Sequence, residues 1–157
     1  MVRPEKSSDQ IFRAGVGAVI QRDDGNVLAL SRTDDPDAWQ FPQGGLKSGE
    51  EPIDALFREV REETGIERSY LRLQADTPRL LAYELPQAYR SRRTGRGQTL
   101  YWYRLTFTGG DDRITLGNQK EFSAWRWMDM ADLVAIVSPF RRDTYIALLR
   151  EIRSVET

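Results

Sequence analysis

The chain contains no cysteine and no histidine. The lack of cysteine excludes disulfides, thiol catalysis, iron–sulfur clusters and zinc sites built on thiolates. The lack of histidine excludes a Ser-His-Asp triad, an imidazole general base and a histidine metal site. Acid–base or metal chemistry must therefore use the 24 aspartates and glutamates, supported by lysine, arginine, tyrosine and the backbone.

Long apolar runs and an excess of one charge are also missing. The longest uninterrupted apolar run, residues 133–137, is too short to cross a bilayer. The net charge of −1 gives no global field toward nucleic acid or an anionic membrane. Residues 1–10 are polar, lack the apolar segment of a signal peptide and are expected to form a flexible leader. These features predict a cytoplasmic protein without a membrane partner, and they allow no stable protein partner to be predicted.

What is present is typical of a single globular domain. The 157 residues, 39% hydrophobic and 30% charged, are expected to form one domain over 1–157. Strands are predicted over 12–21, 27–31, 70–84, 98–108 and 122–128, and helices from about residue 50 to Gly65 and over 139–153. This interleaving without regular βαβ repeats favours an α/β fold with a mixed sheet flanked by helices.

The first predicted helix carries two stripes. Its apolar stripe recurs with the helical period at Ile53, Leu56, Phe57 and Val60, and Gly65 is a plausible stop. Its start has two candidate positions. Ser48 with Glu51 has the spacing of a capping box, whereas Pro52 suits the first helical position.

Beside the apolar stripe lies an acidic stripe, Glu59, Glu62 and Glu63. Like charges at these spacings each cost an isolated helix about 0.2–0.5 kcal/mol, and a divalent cation, which prefers oxygen ligands, would offset that cost. Arg58 is spaced to pair with Glu62, and Gly44–Gly45 in front of the helix lets backbone approach a ligand closely. Strand, glycine loop and acidic helix together predict a site for a metal-bound phosphate. The alternative is a charged surface helix with a chance cluster.

Residues 44–66 read GGLKSGEEPIDALFREVREETGI and resemble the Nudix box, G-x5-E-x7-R-E-U-x-E-E-x-G-U, where U is apolar. Every fixed position of the box is matched. The resemblance implies the Nudix α/β/α sandwich and hydrolysis of a nucleoside diphosphate linked to another moiety. It implies that Arg58 orients a glutamate and that Glu50 supports the loop. The implied ligands of Mg²⁺, or of Mn²⁺ in its place, are Glu59, Glu62, Glu63 and the Gly44 carbonyl.

The resemblance extends beyond the box. The lead-in WQFPQGG, residues 39–45, is similar to that of bacterial RNA pyrophosphohydrolases and asymmetrical diadenosine tetraphosphate hydrolases. The segments YELP, GQ, EFSAWRW and FRRDTY then follow in the order of that subgroup. By this match, Glu121 is a further metal ligand or the catalytic base, a role for which Glu62 is the other candidate. The implied contacts to phosphate or base are Arg32, Gln43, Gln98, Phe140, as a stacking ring, and Arg141.

Four arginines are concentrated in a glycine-containing segment: Arg90, Arg92, Arg93 and Arg96. One interpretation is a flexible basic loop that engages polyphosphate or an RNA backbone through Arg92 and Arg93. The other is an ordinary solvated loop between strands. Both interpretations remain open from the sequence.

The resemblance leaves three functions to compare. The first is removal of pyrophosphate from the 5′-triphosphate end of RNA, and the second is hydrolysis of dinucleoside polyphosphates such as diadenosine tetraphosphate to ATP and AMP. The third is a nucleotide-binding Nudix module without turnover, although such modules usually lose glutamates of the box. In the first two, water would attack phosphorus directly, because no activated nucleophile is visible in the sequence.

Overall fold

The computed structural model describes residues 11–74, 78–92, 94–117 and 120–156. The predicted leader, residues 1–10, lies outside the described residues. No helix within these ranges is long and apolar enough to cross a membrane.

The described residues form eight strands and three α-helices. The strands are β1 (Phe12–Gln21), β2 (Val27–Arg32), β3 (Trp39–Gln40), β4 (Gln43–Gly45), β5 (Leu71–Leu73), β6 (Arg79–Glu84), β7 (Gly97–Phe107) and β8 (Phe122–Met128). The helices are α1 (Pro52–Thr64), α2 (Met130–Ile136) and α3 (Pro139–Glu156).

β1 and β7 form the centre of the sheet. They pair in parallel from Phe12 opposite Gly97 to Gln21 opposite Thr106. The remaining pairs are antiparallel: β2 and β4 pair with β1, β5 and β6 with β7, and β3 and β8 with β2. A parallel pair is covered on both faces, which explains why β1 is a run of small and β-branched residues, buried from Gly15 to Ile20. The expected mixed sheet is confirmed.

Two apolar clusters lie on opposite faces of this sheet. Trp102 of β7 packs in a cluster with Leu133 of α2 and Tyr145 of α3. The next residue, Tyr103, packs in the other cluster with Leu56 of α1, because successive side chains of a strand point to opposite faces. Helices therefore cover both faces of the sheet, which is the sandwich that the resemblance implies.

The ends of α1 follow local chemistry. Glu51 is the N-cap residue but its side chain makes no capping hydrogen bond, and Pro52 stands at the start of the helix. The capping-box alternative was therefore wrong, and the proline alternative was correct. At the other end, Gly65 adopts a left-handed conformation with φ of 76°, as the predicted stop requires.

Three other boundaries differ from the predictions. The strand expected over 70–84 is two strands, β5 and β6, and both pair with β7. Helix α2 was not predicted, and its N-cap, Asp129, accepts a hydrogen bond from the backbone N–H of Ala131 at 2.8 Å. Helix α3 begins at Pro139 as expected and continues to Glu156 rather than residue 153.

Candidate active site

Arg58 of α1 joins the glycine loop to the acidic stripe. Its Nε and Nη2 each donate to one carboxylate oxygen of Glu50 at 2.8 Å. Its Nη1 donates to Glu59 at 2.7 Å, and its Nη2 also donates to the Gly45 carbonyl at 2.9 Å. The predicted pairing with Glu62 is present but longer, at 3.4 Å. Arg58 therefore fixes Glu50 and Glu59 more firmly than Glu62.

Glu50 is locked in its ionised form. Hydrogen bonds from Arg58 lower the pKa of Glu50 to about 2. Its Oε1 also accepts the backbone N–H of Lys47 at 3.0 Å, within the turn that precedes α1. Glu50 thus supports the loop, as the resemblance implies.

Gly44 lies directly against the Glu59 carboxylate. A Cβ added at residue 44 would overlap the carboxyl group of Glu59, so a side chain there would force that carboxylate to move. From β1, Gly15 meets the Gly44 carbonyl equally closely, and a Cβ at residue 15 would overlap that oxygen. The two glycines therefore let the β4 backbone and the Glu59 carboxylate share one small space.

The three glutamates of the stripe differ in how deeply they are buried. Glu63 is only 3% exposed, and its Oε2 accepts the backbone N–H of Gln43 at 3.2 Å. Burial raises the pKa of Glu63 well above its ordinary value, and the charges of Glu121, Glu59 and Glu62 raise it further. Burial also raises the pKa of Glu59. Glu62 is the outermost of the three, with 53% of its side chain exposed.

Glu121 reaches this stripe from the segment before β8. Its charge raises the pKa of both Glu59 and Glu63. Arg32, at the end of β2, donates to Glu121 at 3.2 Å and to Asp34 at 2.9 Å. The structure therefore brings Glu121 to the box glutamates, and it places Arg32 on carboxylates at the rim of the same site.

The donor set suits a hard divalent cation. Carboxylates that raise one another's pKa carry an electrostatic cost, which a bound cation relieves. The Gly44 backbone lies against the Glu59 carboxylate, so closely that a Cβ on residue 44 would overlap it. Among the described residues, however, no three acidic side chains are already grouped to hold an ion. Arg58 engages Glu59 in this arrangement, so ligation requires side-chain rotation within the stripe.

A hydrogen-bonded group of two amides and a phenol adjoins the stripe. The Gln43 Nε2 donates to the Tyr83 hydroxyl and to the Gln98 Oε1, each at 3.0 Å. The Tyr83 hydroxyl in turn donates to the same Gln98 oxygen at 2.9 Å. Gln43 and Gln98 were predicted site residues, whereas Tyr83 was not given a role. Its place in the YELP segment was the signal that could have identified it.

Phe140 continues this group from the start of α3. Its ring centroid lies 5.8 Å from that of Tyr83 and 6.0 Å from that of Tyr89. The Arg141 guanidinium lies 4.7 Å from the centre of the Phe140 ring. Phe140 and Arg141 therefore lie beside Tyr83 of the amide group. Tyr89 was missed, because nothing in its local sequence distinguishes it from a surface tyrosine.

The arginine-rich loop is hydrogen-bonded to its surroundings. Glu84 of β6 pairs with Arg96 at 2.8 Å and with Arg90 at 3.8 Å. The Arg92 side chain is exposed, and its carbonyl accepts a hydrogen bond from Arg13 at 2.5 Å. Arg93, also predicted to contact substrate, lies outside the described residues. The loop therefore does not present all its arginines freely, since two of them are paired with Glu84.

A basin of about 1070 Å³ lies beside α1, and Arg58 and Glu62 are among its lining residues. Arg61, Glu67 and Arg68 line it farther from the glycine loop. The outer end of the acidic stripe thus borders an open depression of the surface.

Comparison with known proteins agrees with this geometry. The NUDIX domain model matches residues 11–149. The chain is 40% identical over 145 residues to the RNA pyrophosphohydrolase of Rhodospirillum rubrum, covering 90% of this chain and 87% of that protein. An Ap4A hydrolase of C. elegans has a TM-score of 0.70 at 22% identity, covering 90% of this chain and 98% of that one. The E. coli dihydroneopterin triphosphate pyrophosphohydrolase also has a TM-score of 0.70, at 27% identity, covering 87% and 95%. The chain therefore belongs to the NUDIX domain family, the Nudix hydrolases.

Proposed function

We propose that this Nudix protein is a divalent-cation-dependent RNA pyrophosphohydrolase, which removes pyrophosphate from the 5′-triphosphate end of RNA in the cytoplasm. The observation that carries the proposal is the intact acidic stripe of α1, whose Glu59 lies against Gly44. The 40% identity to a protein of that name over 90% of this chain supports the choice of substrate.

The cation would be Mg²⁺, or Mn²⁺ in its place. Glu59, Glu62 and Glu63 would hold it with the Gly44 carbonyl, and Glu121 would lie close enough to add a ligand. When bound, such a cation activates water and relieves negative charge on the phosphates. Arg58 holds Glu59 in a fixed position relative to the loop residues Gly45 and Glu50, through hydrogen bonds of 2.7 to 2.9 Å.

The chain's own residues would supply the base. Water adds to phosphorus, the anhydride bond breaks, pyrophosphate leaves and a 5′-monophosphate remains on the RNA. The proton of the water passes to a carboxylate, for which Glu62 and Glu121 are the candidates. Both side chains are about half exposed, at 53% and 48%, so water reaches them directly. Direct attack is consistent with a chain that lacks cysteine and histidine nucleophiles.

The amide and aromatic residues would position the substrate. Phe140 would stack on a base, and Arg141 and Arg32 would contact phosphates or base edges. Gln43 and Gln98 would contact the polyphosphate or the first nucleotide, since Gln43 also binds Glu63 through its backbone. Arg92, and Arg93 by the sequence prediction, would face the RNA backbone.

Hydrolysis of diadenosine tetraphosphate to ATP and AMP is the second candidate. It is favoured by the ring and guanidinium of Phe140 and Arg141, which would clamp an adenine as readily as a base of RNA. The same acidic stripe would carry out the hydrolysis.

The test is a side-by-side measurement of kcat/KM, with Mg²⁺, for short triphosphorylated RNA and for diadenosine tetraphosphate. We expect the higher value with RNA, with pyrophosphate and 5′-monophosphorylated RNA as products. A higher value with the dinucleotide would select the second candidate. Turnover of neither substrate would overturn both and indicate a nucleotide-binding module. Glu62→Gln, prepared identically, controls for a contaminating hydrolase.

A further inference from the structure

Tyr89 ends a line of contacts that begins at the acidic stripe. Glu63 accepts the backbone N–H of Gln43 at 3.2 Å, and the Gln43 side chain donates to Tyr83 at 3.0 Å. The ring of Tyr83 lies 5.8 Å from Phe140, and Phe140 lies 6.0 Å from Tyr89. The last two steps move outward, from the buried Tyr83 through the partly buried Phe140 to the exposed Tyr89. The line therefore connects the acidic stripe to the surface at Tyr89.

Exposure changes sharply along the three rings. Tyr83 is 7% exposed and Phe140 is partly buried against the core, but Tyr89 is 64% exposed. Core packing explains the first ring and most of the second. It does not explain the third, whose apolar surface faces solvent beside a candidate substrate site. Tyrosine in such a position is suited to recognition, because it offers a large rigid ring at low conformational cost.

The turn that carries Tyr89 is held in place by hydrogen bonds. The backbone N–H of Tyr89 donates to the Pro86 carbonyl at 2.9 Å, and its carbonyl accepts the Thr94 hydroxyl at 3.0 Å. The next residue, Arg90, donates to the Leu85 carbonyl at 2.9 Å. A ligand that stacks on Tyr89 therefore meets a surface that is already ordered, which lowers the entropic cost of binding.

Positive charge lies on the same turn. Arg92 follows Tyr89 closely and its side chain is exposed, while Arg90 and Arg96 are paired with Glu84. An exposed aromatic ring and, three residues later, an exposed arginine match a nucleotide, whose base stacks and whose phosphate pairs with the guanidinium. The net charge of the whole chain is −1, so this positive charge is local rather than a general property of the surface.

We propose that Tyr89, together with Arg92, binds a nucleotide of the RNA chain beyond the one that stacks on Phe140. The inference rests on the proposed function and deepens it. A dinucleoside polyphosphate has no such downstream nucleotide. Tyr89 therefore acts as a specificity determinant, which favours a polymer over a dinucleotide without touching the reacting phosphates.

The test compares three substrates: a nucleoside triphosphate, which has no downstream nucleotide, a triphosphorylated RNA hexanucleotide and diadenosine tetraphosphate. For Tyr89→Ala we expect kcat/KM on the hexanucleotide to fall at least about fivefold, the lower range for loss of one stacked base. The loss should lie in KM rather than kcat, because the contact is equally strong before and during reaction. The other two substrates should be unaffected, and Tyr89→Phe should restore the hexanucleotide value.

Two further variants sharpen the result. Arg92→Ala should lower kcat/KM for the hexanucleotide and reduce its salt dependence by about one phosphate contact. Ile136→Ala removes another exposed apolar side chain, 44% exposed at the end of α2, and should change nothing. Thermal midpoints of all variants report whether the fold is intact.

The possible outcomes distinguish a failure of the role of Tyr89 from a failure of the proposed function. An unchanged hexanucleotide value in Tyr89→Ala, an equal loss on all three substrates, or a loss confined to diadenosine tetraphosphate would each overturn the role of Tyr89. The proposed function is judged from the wild type alone. A wild type that cleaves diadenosine tetraphosphate but not RNA would overturn that function, and the inference with it.

Discussion

The two ends of the candidate site hold their side chains by different forces. The acidic end consists of Gly44, Glu50, Arg58, Glu59, Glu62, Glu63 and Glu121. The aromatic end consists of Gln43, Tyr83, Tyr89, Gln98, Phe140 and Arg141. At the acidic end, charge-assisted hydrogen bonds of 2.7 to 2.8 Å join Arg58 to Glu50 and Glu59. At the aromatic end, neutral hydrogen bonds of about 3.0 Å and ring contacts connect the residues.

This difference separates the residues proposed for hydrolysis from those proposed for substrate recognition. At the acidic end, Arg58 contacts several carboxylates and a side chain at residue 44 would displace the Glu59 carboxylate, so one substitution disturbs several groups at once. At the aromatic end, a single exposed ring such as Tyr89 can change with little cost to the fold. One Nudix scaffold can therefore keep its hydrolytic chemistry while its preferred substrate changes.

The largest effect should come from Glu62→Gln, which tests whether the acidic end alone carries the chemistry. Removing this charge should lower kcat by about 10²–10⁴-fold, the range for a positioned acid–base group. Because 53% of the side chain is exposed, the free energy of unfolding should change by less than about 0.5 kcal/mol. Steady-state kinetics at saturating Mg²⁺ and a thermal melt measure the two quantities.

Glu67→Gln is the matched control, since Glu67 is similarly exposed, at 56%, just beyond the end of α1. It should retain wild-type turnover. Glu59→Gln should lose turnover as Glu62→Gln does. Wild-type kcat in both of the stripe variants would show that the assignment of the metal ligands is wrong.

A smaller effect is expected from Tyr145→Phe, which tests whether α3 supports both ends. The Tyr145 hydroxyl accepts the backbone N–H of Phe41 at 2.8 Å, and both residues are fully buried. Phenylalanine would leave that N–H without an acceptor, at a cost of about 1–3 kcal/mol in the free energy of unfolding. Urea denaturation measures the loss.

Phe41 lies just before Gln43, so kcat should fall in Tyr145→Phe along with stability. Tyr103→Phe is the control, because Tyr103 is a buried tyrosine on the other face of the sheet. If stability falls but kcat does not, α3 supports the fold without supporting the acidic end, and the two ends are more independent than we infer.

The smallest effect concerns pH and tests how deeply the acidic end is buried. Burial raises the pKa of Glu63 well above its value of 4.5 in the unfolded chain. Between these two values the folded state binds more protons than the unfolded state, so the free energy of unfolding falls as pH rises. Without divalent cations, the thermal midpoint should therefore decline above about pH 4.5 in the wild type and less steeply in Glu63→Gln.

Glu50 acts with the opposite sign and in a lower window. Its pKa of about 2 means that its stabilisation is present above its ordinary value of 4.5 and is lost as pH falls toward 2. Chelator-treated samples melted across this range distinguish the two groups. Parallel pH profiles for wild type and Glu63→Gln would contradict the buried position of the Glu63 carboxylate.

The fold could be predicted where periodicity was strong. β1 has the predicted bounds, Phe12–Gln21, and the stripe at Ile53, Leu56 and Phe57 correctly located α1. Helix α2 was missed, because its residues form a short apolar run that carries no helical period. The break between β5 and β6 was missed because both strands pair with β7, so nothing in the apolar pattern separates them.

The site could be predicted at its acidic end but only partly at its aromatic end. Glu59, Glu62 and Glu63 share a helix, and their grouping follows from a spacing that can be read directly. The meeting of Tyr83 with Gln98 depends on the register of β6 against β7, in which these residues lie opposite each other. A sequence does not specify that register without the turn geometry. The pairing of Glu84 with Arg90 and Arg96 was missed for the same reason.

The parallel pairing of β1 with β7 determines when the centre of the sheet can fold. β1 is synthesised early, but its central partner is complete only at Phe107. Until then the apolar edge of β1 has no native partner on that side, during synthesis of the whole intervening segment that includes α1. Long-range parallel pairing of this kind slows folding and leaves a strand edge open to aggregation. On the ribosome, the segment that forms α1 is therefore made well before the sheet that gives it a fixed place.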